Sequence, residues 1–214
     1  MHERRLTPLD RLLAGINDAL SAVAVPANRA AREYPAADID DVELGARAKA
    51  HAAGLMRVNH AGEIAAQGLY QGHATVARDE EVSAQMRQSA AEEFDHLAWC
   101  EQRLAELDDK PSKLNTLWYA GSFAIGAASG LFGDKWSLGF IRETERQVCE
   151  HLSSHLEGLP DEDARSRAIV AQMREEEQEH GEKAEAAGAA ELPRPVKDLM
   201  RLTAKLMTGS AYRL

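Results

Sequence analysis

Two tetrapeptides constrain this chain more than anything else in it: Glu93-Phe94-Asp95-His96 and Glu177-Gln178-Glu179-His180. Residues three or four apart share one face of a helix, so each pair can aim a carboxylate and an imidazole at a single point. The spacing alone is a weak signal, because an acidic run such as Glu175-Glu176-Glu177-Gln178-Glu179 is more often a solvated helix face. Two further glutamates give it weight: Glu63 precedes Glu93 by 30 positions, and Glu145 precedes Glu177 by 32. The chain thus reads as two similar helical hairpins with their candidate ligands in register. A di-metal four-helix bundle needs this set, one Glu from each of two helices and a Glu-x-x-His pair from each of the others. Four carboxylates and two neutral imidazoles also balance two divalent ions in a site removed from water. Each histidine would keep one nitrogen on metal and give the other to an acceptor behind it. A helical protein without metal is the alternative should the six residues fail to converge.

The rest of the chain agrees with helices. Ala, Leu, Glu and Arg are abundant and aromatic residues make up only 5%, which disfavours a sheet and predicts an all-α protein of 214 residues with one substantial core. Helical patterns run over about 46–77, 81–107, 134–156 and from an N-cap at Asp161 to Gly188, with Asp38, Asp40, Asp41 and Glu43 suited to the N-terminus of the first. Pro193 and Pro195 open a last helix. The net charge of −10 excludes a general nucleic-acid binder. Cys100 and Cys149 lie far apart with no CxxC spacing, so neither a disulfide framework nor a rubredoxin-type knot is expected, and both read as reduced thiols in a cytosol.

Three segments fall outside the four long helices. Residues 1–45 read as an amphipathic appendage, with Leu6, Leu9, Leu13, Ile16 and Leu20 at helical spacing; Asn17 and Asp18 interrupt the apolar run and argue against a signal peptide. Residues 114–133 carry no charge and are either buried in the bundle or dip into a membrane. The last helix sets Val196, Leu199, Met200, Leu206 and Met207 in one stripe flanked by Arg194, Lys197, Arg201 and Lys205. A basic amphipathic helix on an acidic protein points to an anionic membrane surface ahead of simple packing. Residues 46–214 form the expected main domain.

Arg57-Val58-Asn59-His60-Ala61-Gly62-Glu63, Glu92-Glu93-Phe94-Asp95-His96, Glu145 with His151 six residues on, and Glu175-Glu176-Glu177-Gln178-Glu179-His180 together resemble the demethoxyubiquinone hydroxylase family. The likeness spans about residues 46–214. It departs at Asn59, where the family often has Asp. The resemblance implies a ferritin-like four-helix bundle with added N-terminal, connecting and C-terminal helical segments, and two Fe ions on Glu63, Glu93, His96, Glu145, Glu177 and His180. It implies a monooxygenase that uses O2 to hydroxylate the ring of a polyprenylated demethoxyquinol in ubiquinone biosynthesis. Such a protein is expected at the cytoplasmic face of the cell membrane, peripheral or monotopic, with other ubiquinone-biosynthesis proteins as candidate partners and no nucleic acid. The resemblance also suggests that His151 acts behind the ligands or handles protons, a buried structural histidine being the alternative. Tyr70, seven residues after Glu63, returns to the same helix face and either hydrogen-bonds a ligand carboxylate, passes an electron, or merely packs. A ferritin-like iron storage protein is the second functional reading, distinguished by a soluble shell. Electrons must come from the quinol or from a partner reductase, since no dinucleotide fingerprint is present.

Overall fold

The computed structural model describes residues 30–214, so the amphipathic stretch expected over residues 6–20 lies outside the described residues. Among the described residues there are six helices and no strand: α1 (Ala46–Val76), α2 (Glu80–Glu106), α3 (Asn115–Gly130), α4 (Asp134–Gly158), α5 (Ala164–Ala186) and α6 (Arg194–Ala211). The fold is all-α. Two expectations about helix starts are corrected. The first turn of α1 holds no acid; Asp41 instead reaches the Arg103 guanidinium at 3.0 Å. The N-cap of α5 is Asp163, not Asp161, because Asp163 is the buried acid that accepts from the Ser166 backbone N–H and also pairs with Arg103.

Helices α1 and α2 pack as one hairpin and α4 and α5 as the other; contacts of α2 with α5 and of α1 with α4 close the ring. Each hairpin is short-looped, as antiparallel neighbours require. Gly133 at φ 111° makes the break between α3 and α4 that a side chain would strain.

The two open sides of the ring are covered differently. Over α1 and α4 lie α3 and α6. Helix α3 approaches α1 backbone to backbone: a Cβ on Gly72 would stand 2.3 Å from the Phe123 carbonyl oxygen, and one on Gly126 2.3 Å from that of Leu69. Helix α6 sits more loosely, pinned at its C-terminal end where Ala211 packs on Val58, Ala61 and Trp118 and Arg57 donates to the Ala211 and Tyr212 carbonyls. Leu117 and Ile125 of α3, Leu131 and Phe132 after it, and Leu199, Leu202 and Leu206 of α6 all face outward. Segment 114–133 is therefore neither wholly buried nor free, with one face on α1 and the other exposed. No helix among the described residues is long and apolar enough to cross a membrane.

Over α2 and α5 lies the irregular chain before α1, with a turn over residues 35–38. Ala36 is fully buried in the apolar cluster of Met56, Trp99, Leu104 and Ile169, while Arg32, Tyr34 and Asp41 reach charged side chains of α2 and α5. A second apolar cluster, built on Tyr70, Met86, Leu138, Ile141 and Ala184, fills the other end of the bundle.

Candidate metal centre

Glu63, Glu93, Glu145 and Glu177 lie between those two clusters, one on each helix of the ring. The reason is periodic. Seven residues before and after each glutamate stand Met56 and Tyr70, Met86 and Cys100, Leu138 and Leu152, and Val170 and Ala184, all of them at most 2% exposed. Seven residues return to the same helix face, so the faces that build the core carry the carboxylates inward. All four glutamates, with His96 and His180, are at most 4% exposed.

The six side chains converge. His96 points Nδ1 at the centre, 3.0 Å from Glu93 Oε2, 3.2 Å from Glu177 Oε1 and 3.9 Å from Glu63 Oε2. His180 does the same, with Nδ1 2.8 Å from Glu93 Oε1 and 3.3 Å from Glu177 Oε2. Glu63 lies beside Glu93 and Glu145 beside Glu177, close enough for the neighbour in each pair to raise the hold of Glu63 and of Glu145 on a proton. Glu63, Glu93, His96 and Glu177 can each bring a ligand atom within 4.8 Å of the others'. Tyr70 donates its hydroxyl to Glu145 Oε1 at 2.5 Å, which is the carboxylate contact among the roles considered for it.

Among the described residues no Lys or Arg pairs with any of the four carboxylates, so the cluster lacks the positive charge that four buried acids require. Protons answer that demand where cations do not. Burial, then the neighbouring Glu93 and Glu177, pushes the Glu63 carboxyl well above the usual range, and burial, Glu177 and Glu93 do the same to Glu145. Burial would also raise Glu93, but the imidazoles of His96 and His180 overcome it and hold it well below. Burial opposes the charge on His180, yet hydrogen bonds to Glu177 and Glu93 push it up to about 12. A hard oxygen-rich set with two imidazoles, whose negative charge only protons offset, is the donor chemistry of a divalent metal pair.

Behind each histidine stands a carboxylate from the opposite hairpin. His96 Nε2 donates to Glu176 Oε2 at 2.6 Å, and His180 Nε2 donates to Glu92 Oε2 at 2.8 Å. Residues adjacent in sequence to two ligands thus orient the other two, with the α2 and α5 pairs exchanging partners. Sequence reasoning assigned these two no role, although the doublets Glu92-Glu93 and Glu176-Glu177 occur at matching places in both hairpins. His151 is not brought to the centre by any hydrogen bond; its ring packs edge-on against His155, centroids 4.1 Å apart, and its Nε2 is without a partner.

A family model described as "Ubiquinone biosynthesis protein COQ7" matches residues 50–211, which include all six converging side chains. The chain belongs to this family. Relatives named 3-demethoxyubiquinol 3-hydroxylase agree over nearly the whole length. The one from Chromobacterium violaceum is 55% identical over 206 residues, covering 96% of this chain and 100% of its own. That from Xanthomonas oryzae pv. oryzae is 55% identical over 210 residues, 97% and 95% of the two chains. The Ralstonia pickettii relative is 52% identical over 217 residues, 96% and 100%. The COQ7-family motif Arg57–Glu63 also gains a physical reading here. Its Arg57 ties α1 to the carbonyls at the end of α6, and its Glu63 enters the centre two turns later.

Proposed function

We propose that this COQ7-family protein is a di-iron hydroxylase that uses O2 to hydroxylate the ring of a polyprenylated demethoxyquinol at the cytoplasmic surface of a membrane. One observation carries the reading: four buried carboxylates and two imidazoles share one centre that holds no Lys or Arg among the described residues. The names of relatives more than half identical supply the substrate class. Two iron ions held by Glu63, Glu93, His96, Glu145, Glu177 and His180 would activate O2, so that one of its atoms enters the ring and the other leaves as water with two electrons and two protons.

The chain's own groups do the rest. Tyr70 fixes Glu145 by its hydrogen bond, and Glu92 and Glu176 fix the ring planes of His180 and His96. The apolar clusters above and below keep bulk water from the centre. A prenyl tail stays in lipid unless offered an apolar path, since each buried CH2 is worth about 0.8 kcal/mol. The outward Leu117, Ile125, Phe132, Leu199, Leu202 and Leu206 support lipid contact on the α3 and α6 side. The electrons come from the quinol or from a partner reductase. Iron storage is not favoured, because relatives named as hydroxylases cover essentially the whole chain.

The test is genetic and chemical together. A strain lacking the protein is expected to accumulate demethoxyubiquinone, and the wild-type gene to restore ubiquinone while Glu177→Ala and His96→Ala do not. The purified variants should hold less iron with unchanged helix content, since metal affinity and not the bundle is lost. An unchanged quinone profile on deletion would sink the reading, and full complementation by either variant would remove that residue from the ligand set.

A further inference from the structure

Arg32 precedes every helix of the described chain by more than a dozen positions, yet it reaches the back of the metal centre. Its guanidinium lies 2.6 Å from Asp95 Oδ2 and 2.7 Å from Glu176 Oε1, and stacks 4.8 Å over the Trp99 ring. The preceding residue helps to seat it, with Ala31 N–H donating to Asp95 Oδ1 at 2.7 Å. Glu176 is the carboxylate whose other oxygen accepts from His96 Nε2, so Arg32 and His96 occupy opposite ends of one group. Outside them is a cavity of about 360 Å3 bordered by Arg32, Tyr34, Asp38, Trp99 and Gln172. Without Arg32, the Glu176 oxygen that faces away from His96 would have only the Gln172 amide to keep it from turning into that space.

The other histidine has no such arrangement. Glu92, behind His180, has Lys183 no nearer than 3.7 Å and a Gln88 amide at 3.0 Å, and its side chain is 31% exposed against 15% for Glu176. Among the described residues no aromatic ring stacks on that cation. A flexible point charge at that distance does not fix a carboxylate as a planar fork seated on an aromatic ring does.

We propose that Arg32 is a positioning residue for the metal centre, a latch by which the chain before α1 holds Glu176 on His96 and so slows loss of the metal. The proposal rests on the di-iron reading above and adds to it a residue from outside the four-helix bundle. Its chemistry is that of the shell behind a ligand: an anchored carboxylate keeps the imidazole tautomer and ring plane fixed and strengthens its inner nitrogen as a donor. The asymmetry between the two histidines provides an internal control.

The experiment uses the full chain reconstituted anaerobically with Fe(II), and follows transfer of iron to an excess of a ferrous chelator. Arg32→Met, which keeps the apolar stem over Trp99 but removes the fork, is expected to release iron about 10-fold faster than wild type, the size usual for disturbing the partner of a metal-bound histidine. Arg32→Lys should fall between the two, and Lys183→Met should release at the wild-type rate. In a Glu176→Gln background, Arg32→Met should add no further acceleration, because the group it holds has already lost its charge. The melting temperature and helix content of the metal-free protein should be the same for wild type and Arg32→Met. Release at the wild-type rate from Arg32→Met overturns the latch, as does equal acceleration by Lys183→Met or a metal-free melting temperature that falls in step with iron retention. Failure of the wild-type chain to take up iron would instead remove the di-iron reading itself.

Discussion

The bundle closes its two sides by different physics. On the side of α2 and α5, the covering segment is irregular chain fastened by polar and charged contacts: Arg32 to Asp95 and Glu176, Tyr34 to Glu106, the Ile39 carbonyl to Arg165, and Asp41 to Arg103. On the side of α1 and α4, helix α3 is fastened by the absence of side chains at Gly68, Gly72 and Gly126, and the outer surface of α3 and α6 is apolar. The histidines follow the same division. Those aimed at the centre from α2 and α5 back onto carboxylates, whereas His60 and His73 of α1 sit in burial that drives them toward the neutral form, each to about 4. The difference teaches that one centre sits between two unlike surroundings, with carboxylates and an arginine behind its histidines on one side and an apolar outer surface on the other.

The strongest way to break this comparison is to give the glycine face side chains. In Gly72→Val the new Cβ meets the Phe123 carbonyl oxygen at 2.3 Å and the Ala127 nitrogen at 2.8 Å, both backbone atoms that cannot step aside. Helix α3 must lift from α1, and a loss of about 3 kcal/mol is expected in denaturant unfolding. Gly121→Ala, whose Cβ would meet nothing within 4 Å, is the paired control and should stabilise by about 0.5 kcal/mol through helix propensity. Equal midpoints for the two variants would mean that α3 is not held by backbone approach.

Much of this was legible before the structure, and the boundary between what was and was not is physical. The four long helices follow from periodicity. The six candidate ligands follow from the two Glu-x-x-His pairs, the 30- and 32-residue offsets of Glu63 and Glu145, and the family resemblance. Buried neighbours seven residues away on each side explain why the four glutamates face inward. Tyr70 is the residue at that spacing after Glu63, and its hydroxyl does meet a carboxylate of the centre. Glu92 and Glu176 were hidden because a residue next to a ligand is turned about 100° away on its own helix. Only the crossing of α2 by α5 shows that this direction ends on the other helix's histidine. Arg32 was hidden for a different reason: a segment of bends and turns has no period, so nothing in the sequence says which of its side chains reaches the bundle. His151 falls outside this argument: the resemblance suggests a place behind the ligands or in proton handling, and its ring packs edge-on against His155.

A smaller effect sharpens the comparison on the outer surface of α6. Replacing Arg194, Lys197, Arg201 and Lys205 by Gln should weaken sedimentation with anionic vesicles, at about 1 kcal/mol for each basic group free to meet headgroups. Two of the four are already engaged, Lys197 with Glu191 and with Glu143 at 3.7 Å, and Arg201 with Asp198 at 2.7 Å. The expected loss is therefore about 2 kcal/mol, roughly a 30-fold weaker association, with binding to uncharged vesicles unchanged. If the variant pelleted with anionic vesicles as well as wild type at physiological salt, α6 would be packing only, and the apolar face would need another explanation.

The smallest expected effect tests whether the histidines of the apolar side are neutral by necessity. His73 is 1% exposed, and neither ring nitrogen has a partner. Its nearest surroundings, the Phe140 ring, Gly130 and the Ser137 hydroxyl region, offer no carboxylate. Burial lowers it to about 4 from the ordinary 6.5, so between those values the unfolded chain binds a proton that the folded chain refuses. Stability contributed by the neutral ring is thus fully present above pH 6.5 and is lost as pH falls toward 4. His73→Leu removes that titration. Relative to wild type, the variant should gain about 1 kcal/mol between pH 7 and pH 5.5, read as a divergence of denaturant midpoints in the metal-free protein, where loss of iron at low pH cannot contribute. The sign matters more than the size, because a site histidine behaves oppositely. His180, raised to about 12 by Glu177 and Glu93 against burial, adds stability that is fully present below pH 6.5 and is lost as pH rises from there through its folded value. Parallel curves for wild type and His73→Leu would show that His73 can take a proton without cost, and the apolar side would not be dry at that depth.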